Sequence, residues 1–299
     1  MGAIASLAYL VIGTADTGAW RSFSEALLGA PAADGPSEGG LSLRVDPKYA
    51  YSILIEPAVS EEVSAIGWEA TSERDFVDLM SRLEANGFVP KEESEAFARE
   101  RDVHRLFAFE DPDQRRIEVV FGRRWVDEPM TTTRPMDGLV GVGHVLIETP
   151  DVEGQLSLYG DILGFKLTDF RSDALYFLRC SPRHHSAAFA RSERARTHHF
   201  FVETASLDDV GRACDIARRS GMKLLSDLGR HGNDHAISFY VQAPSGIAIE
   251  YGWGSIKVDD DSWVPHAYTE GDIWGHWRDP EEAAVVAMPR NTRAAPDGA

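Results

Sequence analysis

The chain has 299 residues, a hydrophobic fraction of 43% and a formal net charge of −18 at pH 7. This length and hydrophobic content are enough for two domains of ordinary size. The negative charge argues against nucleic acid and against an anionic membrane surface, because both attract Lys and Arg. A small neutral or weakly acidic substrate fits this charge. The only two cysteines, Cys180 and Cys214, suggest no disulfide framework, so the expected location is the reducing cytoplasm.

The first predicted element is a buried strand in the apolar segment 3–13. This segment lacks the basic flank of a signal peptide and is too short to span a membrane. It runs into Thr-Ala-Asp at 14–16, a favourable start for a helix, and the Gly- and Pro-rich segment 30–40 is a predicted loop. A strand and a helix capped by Ser72 follow at 68–87, and a predicted hairpin spans 106–122.

The second half of the chain repeats this order of elements. Segment 139–151 repeats the first strand with its Thr-x-Asp ending, segment 200–221 repeats the capped helix with Ser206, and segment 237–252 repeats the hairpin. The repeat predicts an α+β fold of four βαβββ modules, with one helix each, paired into two domains. Each domain is expected to form an open barrel-like mixed sheet with its helices outside.

The boundaries of these domains follow from the composition. We predict an N-terminal domain at 1–123, a Pro- and Thr-rich linker at 124–137, a C-terminal catalytic domain at 138–280 and a disordered tail at 281–299.

Three residues of the second half, His144, His199 and Glu250, each lie in a strand-like apolar run. A carboxylate inside such a run is costly to bury unless it meets a cation. Two neutral imidazoles and one carboxylate form the facial triad of non-haem Fe(II) oxygenases, which leaves three adjacent metal positions open. The sequence therefore predicts one metal site. His198, next to His199, is expected on the opposite face of its strand, where it would either support the ligand histidine or be exposed.

The repeat offers a test of this metal site. The first-half positions that align with the two histidines are Tyr9 and a position near Ala65, whereas Glu250 has the acidic counterpart Glu118. The first half thus lacks both imidazoles, so we expect the functional site in the C-terminal half alone.

The segments around these residues resemble a known family. They include Gly-His-Val-Leu-Ile at 143–147, Arg-His-His-Ser-Ala-Ala-Phe at 183–189, His-Phe-Phe-Val-Glu at 199–203, Gly-Arg-His-Gly-Asn-Asp at 229–234 and Ile-Glu-Tyr-Gly-Trp-Gly at 249–254. With them the chain resembles, over nearly its whole length, the two-domain type I extradiol ring-cleavage dioxygenases of the vicinal oxygen chelate superfamily, in particular the 2,3-dihydroxybiphenyl 1,2-dioxygenase group. The connection 166–182 is shorter than in many relatives that act on bulky catechols. It overlies the substrate in such enzymes, so the resemblance leaves the substrate open.

The resemblance implies an activity and roles for three further residues. The activity is meta-cleavage of a catechol-type ring with insertion of both atoms of O₂, on Fe(II), with Mn(II) as the alternative on the same ligands. His185 would line the O₂-binding side and donate a proton, with His184 as the alternative register. His231 would bond a catechol oxygen and help to deprotonate it, and Tyr240 would bond the same oxygen.

The pocket walls are predicted more weakly, because ordinary core packing is the competing interpretation. The predicted substrate contacts are Leu146, Phe177 or its neighbour Tyr176, Asn233 and Asp234. Asn233 and Asp234 follow His231 in a turn-rich loop and are also predicted to orient that histidine. His276 is predicted to close the pocket.

Two other functions stay open from the sequence. One is a metal-dependent lyase or isomerase of the same superfamily using Zn or Ni, which would keep a fourth protein ligand. The other is a non-catalytic small-molecule binding protein, which would lack the metal ligands. The expected partners are a small aromatic diol, O₂ and further copies of the chain in a homo-oligomer.

Overall fold

A computed structural model describes residues 2–269 and 271–278, so the predicted tail at 281–299 lies outside the described residues. The first half contains β1 (Ile4–Thr14), α1 (Thr17–Phe23, continued by a π-helical turn at Ser24–Leu28), β2 (Ala32–Asp34), β3 (Leu41–Leu43), β4 (Ile53–Pro57), β5 (Glu62–Ala70), α2 (Glu73–Ala85), β6 (Lys91–Glu92), α3 (Glu95–Glu100), β7 (Val103–Glu110) and β8 (Arg116–Arg123).

The second half contains β9 (Leu139–Thr149), α4 (Val152–Leu156, continued by a π-helical turn at Ser157–Ile162), β10 (Lys166–Arg171), β11 (Leu175–Arg179), β12 (Ala187–Arg191), β13 (Arg196–Thr204), α5 (Leu207–Arg219), β14 (Leu224–Arg230), β15 (Ile237–Gln242), β16 (Ala248–Trp253), β17 (His266–Ala267) and β18 (Trp274–Gly275). No helix of the described residues has the length and apolar character needed to cross a membrane.

The strands form two mixed sheets, one in each half of the chain. Their orders are β2-β3-β4-β1-β5-β8-β7-β6 and β17-β10-β11-β12-β9-β13-β16-β15-β14-β18. This arrangement confirms the predicted α+β class and the repeat. Two details of the prediction are wrong. The second module carries an additional helix, α3, and the predicted loop 30–40 contains the short strand β2.

The helix starts follow the local chemistry that the sequence predicted. Asp16, Ser72, Asp151 and Ser206 each accept, through the side chain, a hydrogen bond from the backbone N–H three residues later. Each cap satisfies one of the free N–H groups at a helix start and contributes about 1 kcal/mol. Because the caps lie at equivalent positions in the repeat, the helices begin at equivalent positions in both halves.

The main core joins the two sheets through large aromatic side chains. Trp68 of the first half is fully buried; its indole N–H donates to Tyr159 of the second half at 3.3 Å, and its ring packs edge-on against Phe165 at 5.0 Å. The two halves therefore share one continuous core, which fixes the second sheet against the first.

The other face of each sheet differs between the halves. In the first half it is filled by a separate apolar cluster that includes Tyr9 and Tyr51, and helix α3 adds Phe97 and Ala98 to that cluster. In the second half the corresponding cluster is small and lines an open cavity. On this face of the first sheet, helix α3 therefore occupies space that corresponds to the cavity on the second sheet.

Candidate active site

The three predicted metal ligands lie on three adjacent strands. His144 is on β9, His199 on β13 and Glu250 on β16, and β13 pairs with both of the other strands. In this register His199 is opposite Leu146 of β9 and Ala248 of β16. His144 precedes Leu146 by two residues, and Glu250 follows Ala248 by two residues. Strand alternation then turns the three side chains towards one face.

The ligand atoms converge at this point. His144 Nε2 lies 3.3 Å from His199 Nε2, and Glu250 Oε2 lies 3.2 Å and 3.4 Å from these two nitrogens. Ligand atoms in adjacent octahedral positions, about 2.1 Å from a metal, are roughly 3.0 Å apart, so the arrangement fits a single divalent ion. The three side chains are buried, and they form one of two groups among the described residues that could hold a metal.

Glu250 is oriented by bonds to its other oxygen. Ser238 donates to Oε1 at 2.7 Å and His231 Nε2 lies 3.0 Å from it, which leaves Oε2 for the metal. Burial alone would raise the pKa of Glu250, but His231 and the two ligand histidines outweigh burial and hold this pKa well below its usual range. Burial lowers the pKa of His199 to about 4, so this imidazole is neutral and available as a ligand at neutral pH.

His198 contacts the ligand histidine, as one of the two predicted alternatives has it, but it does not lie on the predicted opposite face. A β-bulge between Thr197 and His199 interrupts the pairing of β13 with β9, and His198 is the extra residue. Its Nδ1 lies 2.7 Å from Nδ1 of His199. The bulge therefore brings the two rings together, and His198 helps to set the orientation of the ligand histidine.

His144 lies between two rings. Phe201 stacks on one side, with the ring centroids 5.0 Å apart and the planes 11° from parallel, and His185 lies at 4.0 Å. These contacts restrict rotation of the imidazole and leave its Nε2 directed at the other ligands.

Of the two adjacent histidines that could face the cavity, the structure places His185 there. His185 lines the cavity, whereas His184 is fully buried behind it, with its Nε2 2.8 Å from Asp169 Oδ2. The Nδ1 atoms of the two histidines are 3.1 Å apart. Burial, and then the neighbouring His144, hold the pKa of His185 well below its usual range, so its neutral form predominates at neutral pH.

His231 and Tyr240 flank the ligands from another strand pair. Tyr240 on β15 is directly opposite Glu250 on β16, and its hydroxyl lies 2.9 Å from His231 Nε2. The other nitrogen, Nδ1, lies 2.7 Å from Asp272 Oδ1. Burial lowers the pKa of His231, but Glu250 and Asp272 outweigh it and hold the pKa well above its usual range. Burial raises the pKa of Tyr240 well above its usual range, so the phenol stays protonated.

One cavity connects all of these groups. It is lined by His144, Leu146, Arg171, Leu175, Phe177, His185, His199, His231, Asn233, Asp234, Tyr240, Glu250, Tyr268, Gly271, Asp272 and Arg278. All four predicted substrate contacts are thus placed in its wall. Tyr176 points elsewhere and stacks on Phe170 at 6.3 Å.

Two predicted roles are wrong. The carboxylate that contacts His231 is Asp272, whereas Asp234 accepts from the backbone N–H of Ala236 and from Ser255. His276 does not close the cavity. It is 1% exposed and lies behind His231, with the ring centroids 4.2 Å apart. Asp272 comes from a segment without a counterpart in the repeat, so no periodic signal pointed to it.

The sequence also missed three residues that matter here. Ser238 could have been found, because it precedes Tyr240 by two residues on one strand and so shares its face. Asp169 and Arg171 lie on β10, inside the short connection that the resemblance left open. Their positions depend on how that connection folds back over the cavity.

The first half shows what replaces the metal when the histidines are missing. Glu118, the counterpart of Glu250, is fully buried and accepts from the Tyr9 hydroxyl at 2.6 Å. The Arg101 guanidinium lies 3.4 Å from the same carboxylate, and Arg116 lies 2.7 Å from its other oxygen. Two guanidinium groups thus supply the cation that a buried carboxylate requires.

Comparison with known proteins places the chain among oxygenases. Residues 141–251 match the model of the glyoxalase/bleomycin resistance protein/dioxygenase superfamily, and residues 7–57 match that of dihydroxybiphenyl dioxygenase BphC D1. A biphenyl-2,3-diol 1,2-dioxygenase of Paraburkholderia xenovorans is 34% identical over 94% of this chain and 98% of its own length. An iron-dependent extradiol dioxygenase of Rhodococcus jostii is 34% identical over 91% and 97%. The crystal structure of BphC, a halotolerant catechol dioxygenase, has a TM-score of 0.89 at 29% identity, covering 96% of this chain and 99% of that one.

Proposed function

This chain belongs to the extradiol ring-cleaving dioxygenases of the glyoxalase/bleomycin resistance protein/dioxygenase superfamily, and from that membership we propose that it meta-cleaves a substituted catechol on Fe(II). The observation that carries the proposal is the buried group of His144, His199 and Glu250 at the base of an open cavity. When bound there, Fe(II) would bring the diol and O₂ to adjacent positions and increase the acidity of the diol. The iron-dependent relative favours Fe(II) over Mn(II).

We assign His231 and Tyr240 to the diol. The contact with Asp272 holds Nδ1 of His231, so Nε2 faces the cavity and can donate a hydrogen bond to a diol oxygen. The two carboxylates that raise the pKa of His231 keep the imidazole in its charged form, and this positive charge favours loss of a proton from the diol. Tyr240 keeps its proton and can donate a hydrogen bond to the diol oxygen that results.

We assign His185 to the O₂ side of the cavity. It lies against His144, whereas Tyr240 lies against His199, so the two groups approach the metal ligands from different sides. Because Asp169 fixes a proton on Nε2 of His184, one further proton can be taken up at Nε2 of His185 and returned there. Asp169 stabilises the charge of the histidine pair during this exchange. General acid–base help of this kind contributes about 10²–10⁴-fold to a rate.

Two alternative functions are less well supported. A non-catalytic binding protein would not need the buried group of three metal-ligating residues. The lyases and isomerases of the superfamily keep a fourth protein ligand, whereas this group contains three residues. Assembly into a homo-oligomer and a cytoplasmic location belong to the proposal as well. Light scattering of the purified chain tests the first, and localisation of a tagged chain tests the second.

The experiment is anaerobic loading with Fe(II), followed by mixing with oxygenated 2,3-dihydroxybiphenyl or 3-methylcatechol. We expect O₂ uptake equal to the diol consumed, together with a yellow product followed by visible absorbance. His199→Ala should abolish both signals, and His104→Ala, at an exposed histidine of the first half, should leave both at the wild-type level. No O₂ uptake with any catechol despite tightly bound iron would refute the activity. Equal turnover with Mn(II) would refute only the choice of Fe(II) over Mn(II), and the ring-cleaving activity would stand.

A further inference from the structure

The short connection between β9 and β12 supplies a positive charge to the cavity wall. Residues 166–179 form the hairpin of β10 and β11, in which Arg171 pairs with Leu175 next to the turn. Both residues line the cavity together with Phe177. Arg171 is only 8% exposed, so its guanidinium is largely removed from solvent.

This guanidinium lacks the partners that buried arginines usually have. Within residues 2–269 and 271–278 it forms no ion pair and donates no side-chain hydrogen bond. Arg179 of the same hairpin is a useful contrast, because it binds Asp260 at 2.9 Å and the Leu167 carbonyl at 3.0 Å. Burial lowers the pKa of Arg171, and the nearby Tyr268 and Asp272 offset this effect only in part. A buried charge is costly unless a ligand supplies the counter-charge.

The acidic groups of the same cavity are already engaged. Asp234 accepts from a backbone N–H and from Ser255, and Asp272 contacts His231 at 2.7 Å. Tyr268, placed beside Arg171 by the pairing of β17 with β10, donates its hydroxyl proton to the Gly271 carbonyl at 2.7 Å. These groups leave Arg171 available to a ligand.

Between Arg171 and the metal ligands the wall is apolar. Leu146, Phe177 and Leu175 belong to one buried cluster, and Leu146 and Phe177 are linked across the sheet through Ala188. In sheet order β10 lies three strands from β9, which carries His144. On this wall the cavity therefore changes from the metal ligands, through apolar side chains, to Arg171, whereas the other lining guanidinium, Arg278, lies over the Tyr240 ring at 5.0 Å.

We propose that Arg171 binds a carboxylate, and that the substrates are catechols whose ring substituent carries one. This inference rests on the proposed function, since it names the substrate class of the same site. A guanidinium and a carboxylate form two parallel charge-assisted hydrogen bonds. With a net charge of −18 the chain does not attract anions from a distance, so a local cation is needed to hold one.

The test compares kcat/KM of the Fe(II)-loaded enzyme for 3-(2,3-dihydroxyphenyl)propanoate and for 3-methylcatechol. The wild type should prefer the carboxylated diol, and Arg171→Met should reduce this preference by about 10- to 100-fold. Arg171→Lys should retain part of the preference because it retains the charge. Arg194→Met, at an exposed arginine outside the cavity, is the matched control and should leave the preference unchanged.

A second measurement needs no variant. For the wild type with 3-methylcatechol, 3-phenylpropanoate should compete at least tenfold more strongly than 3-phenylpropanamide, which has the same shape without the charge. Equal inhibition by the two compounds, or a preference that Arg171→Met does not change, overturns the carboxylate site. Ring cleavage of 3-methylcatechol would persist in that case, so the proposed function would stand. If the wild type cleaves no diol, the proposed function itself fails.

Discussion

Replacing Ser238 with alanine removes the hydroxyl that donates a 2.7 Å hydrogen bond to Oε1 of Glu250. A hydrogen bond to a charged group contributes about 1.5–3 kcal/mol, and about 1.4 kcal/mol corresponds to a factor of ten. His231 keeps its own contact with the same oxygen at 3.0 Å, so the carboxylate remains partly oriented. We therefore expect the metal affinity to fall by about 10- to 100-fold, as for other residues that orient metal ligands.

The assay is anaerobic titration with Fe(II) against a chelator of known affinity. Ser226→Ala is the matched control, because Ser226 is also a buried serine, lies on the neighbouring strand β14 and donates to the Asp227 backbone carbonyl. That variant should bind the metal as the wild type does. A dissociation constant for Ser238→Ala within about threefold of the wild-type value would refute the reasoning, since the hydroxyl would then contribute little to orienting Glu250.

Three further predictions follow from buried charges and thiols. Arg101→Met should lower the free energy of unfolding by about 3 kcal/mol, because Glu118 loses one of its two guanidinium partners; urea unfolding measures this. Asp272→Asn should lower kcat at least tenfold while leaving the iron content unchanged, because the histidine that it contacts loses its fixed proton position. Burial raises the pKa of the Cys180 thiol to about 12, so a thiol reagent should label it slowly at pH 8 and faster as the pH rises towards that value.

Each of these predictions has a control and a result that contradicts it. Arg99→Met removes an exposed pair with Glu95 and should change the free energy of unfolding by no more than about 0.5 kcal/mol. If Arg101→Met were equally mild, the buried charge would be satisfied in another way. Asp259→Asn, at an exposed position, should leave kcat unchanged, and a loss of iron from Asp272→Asn would point to a structural role. Fast labelling of Cys180 at pH 8, at the rate seen in urea, would show that the pKa of its thiol is not raised in the folded protein.

Three features could be predicted from the sequence because each depends on neighbours along the chain. They are the repeat, the helix starts and the positions of the three residues that could hold a metal. Thr-x-Asp and the caps at Ser72 and Ser206 act within three residues. His144, His199 and Glu250 each lie in a strand of buried apolar residues, where a polar side chain is costly to bury. Comparison of the halves then predicted a site in the second half alone. In the first half, Arg101 and Tyr9 contact Glu118, the counterpart of Glu250.

Other features depend on contacts between distant parts of the chain. A β-bulge turns His198 towards His199, although strict alternation predicts the opposite face. Which of His184 and His185 faces the cavity is decided by Asp169, which binds the first of them from another strand. Helix α3 was not predicted, because six residues are too short for a periodic pattern to distinguish a helix from a loop.

The amino-acid sequence by itself thus determined the family and the repeated sheet. It also determined the three residues that could hold a metal, because a strand's period of two assigns each residue to a face. Tertiary structure alone decided the surroundings of that site. Asp272 and Tyr268 come from the C-terminal segment, and Arg171 comes from a hairpin that folds over the cavity. No local pattern encodes where such segments end, since their positions are set by packing against the completed sheet.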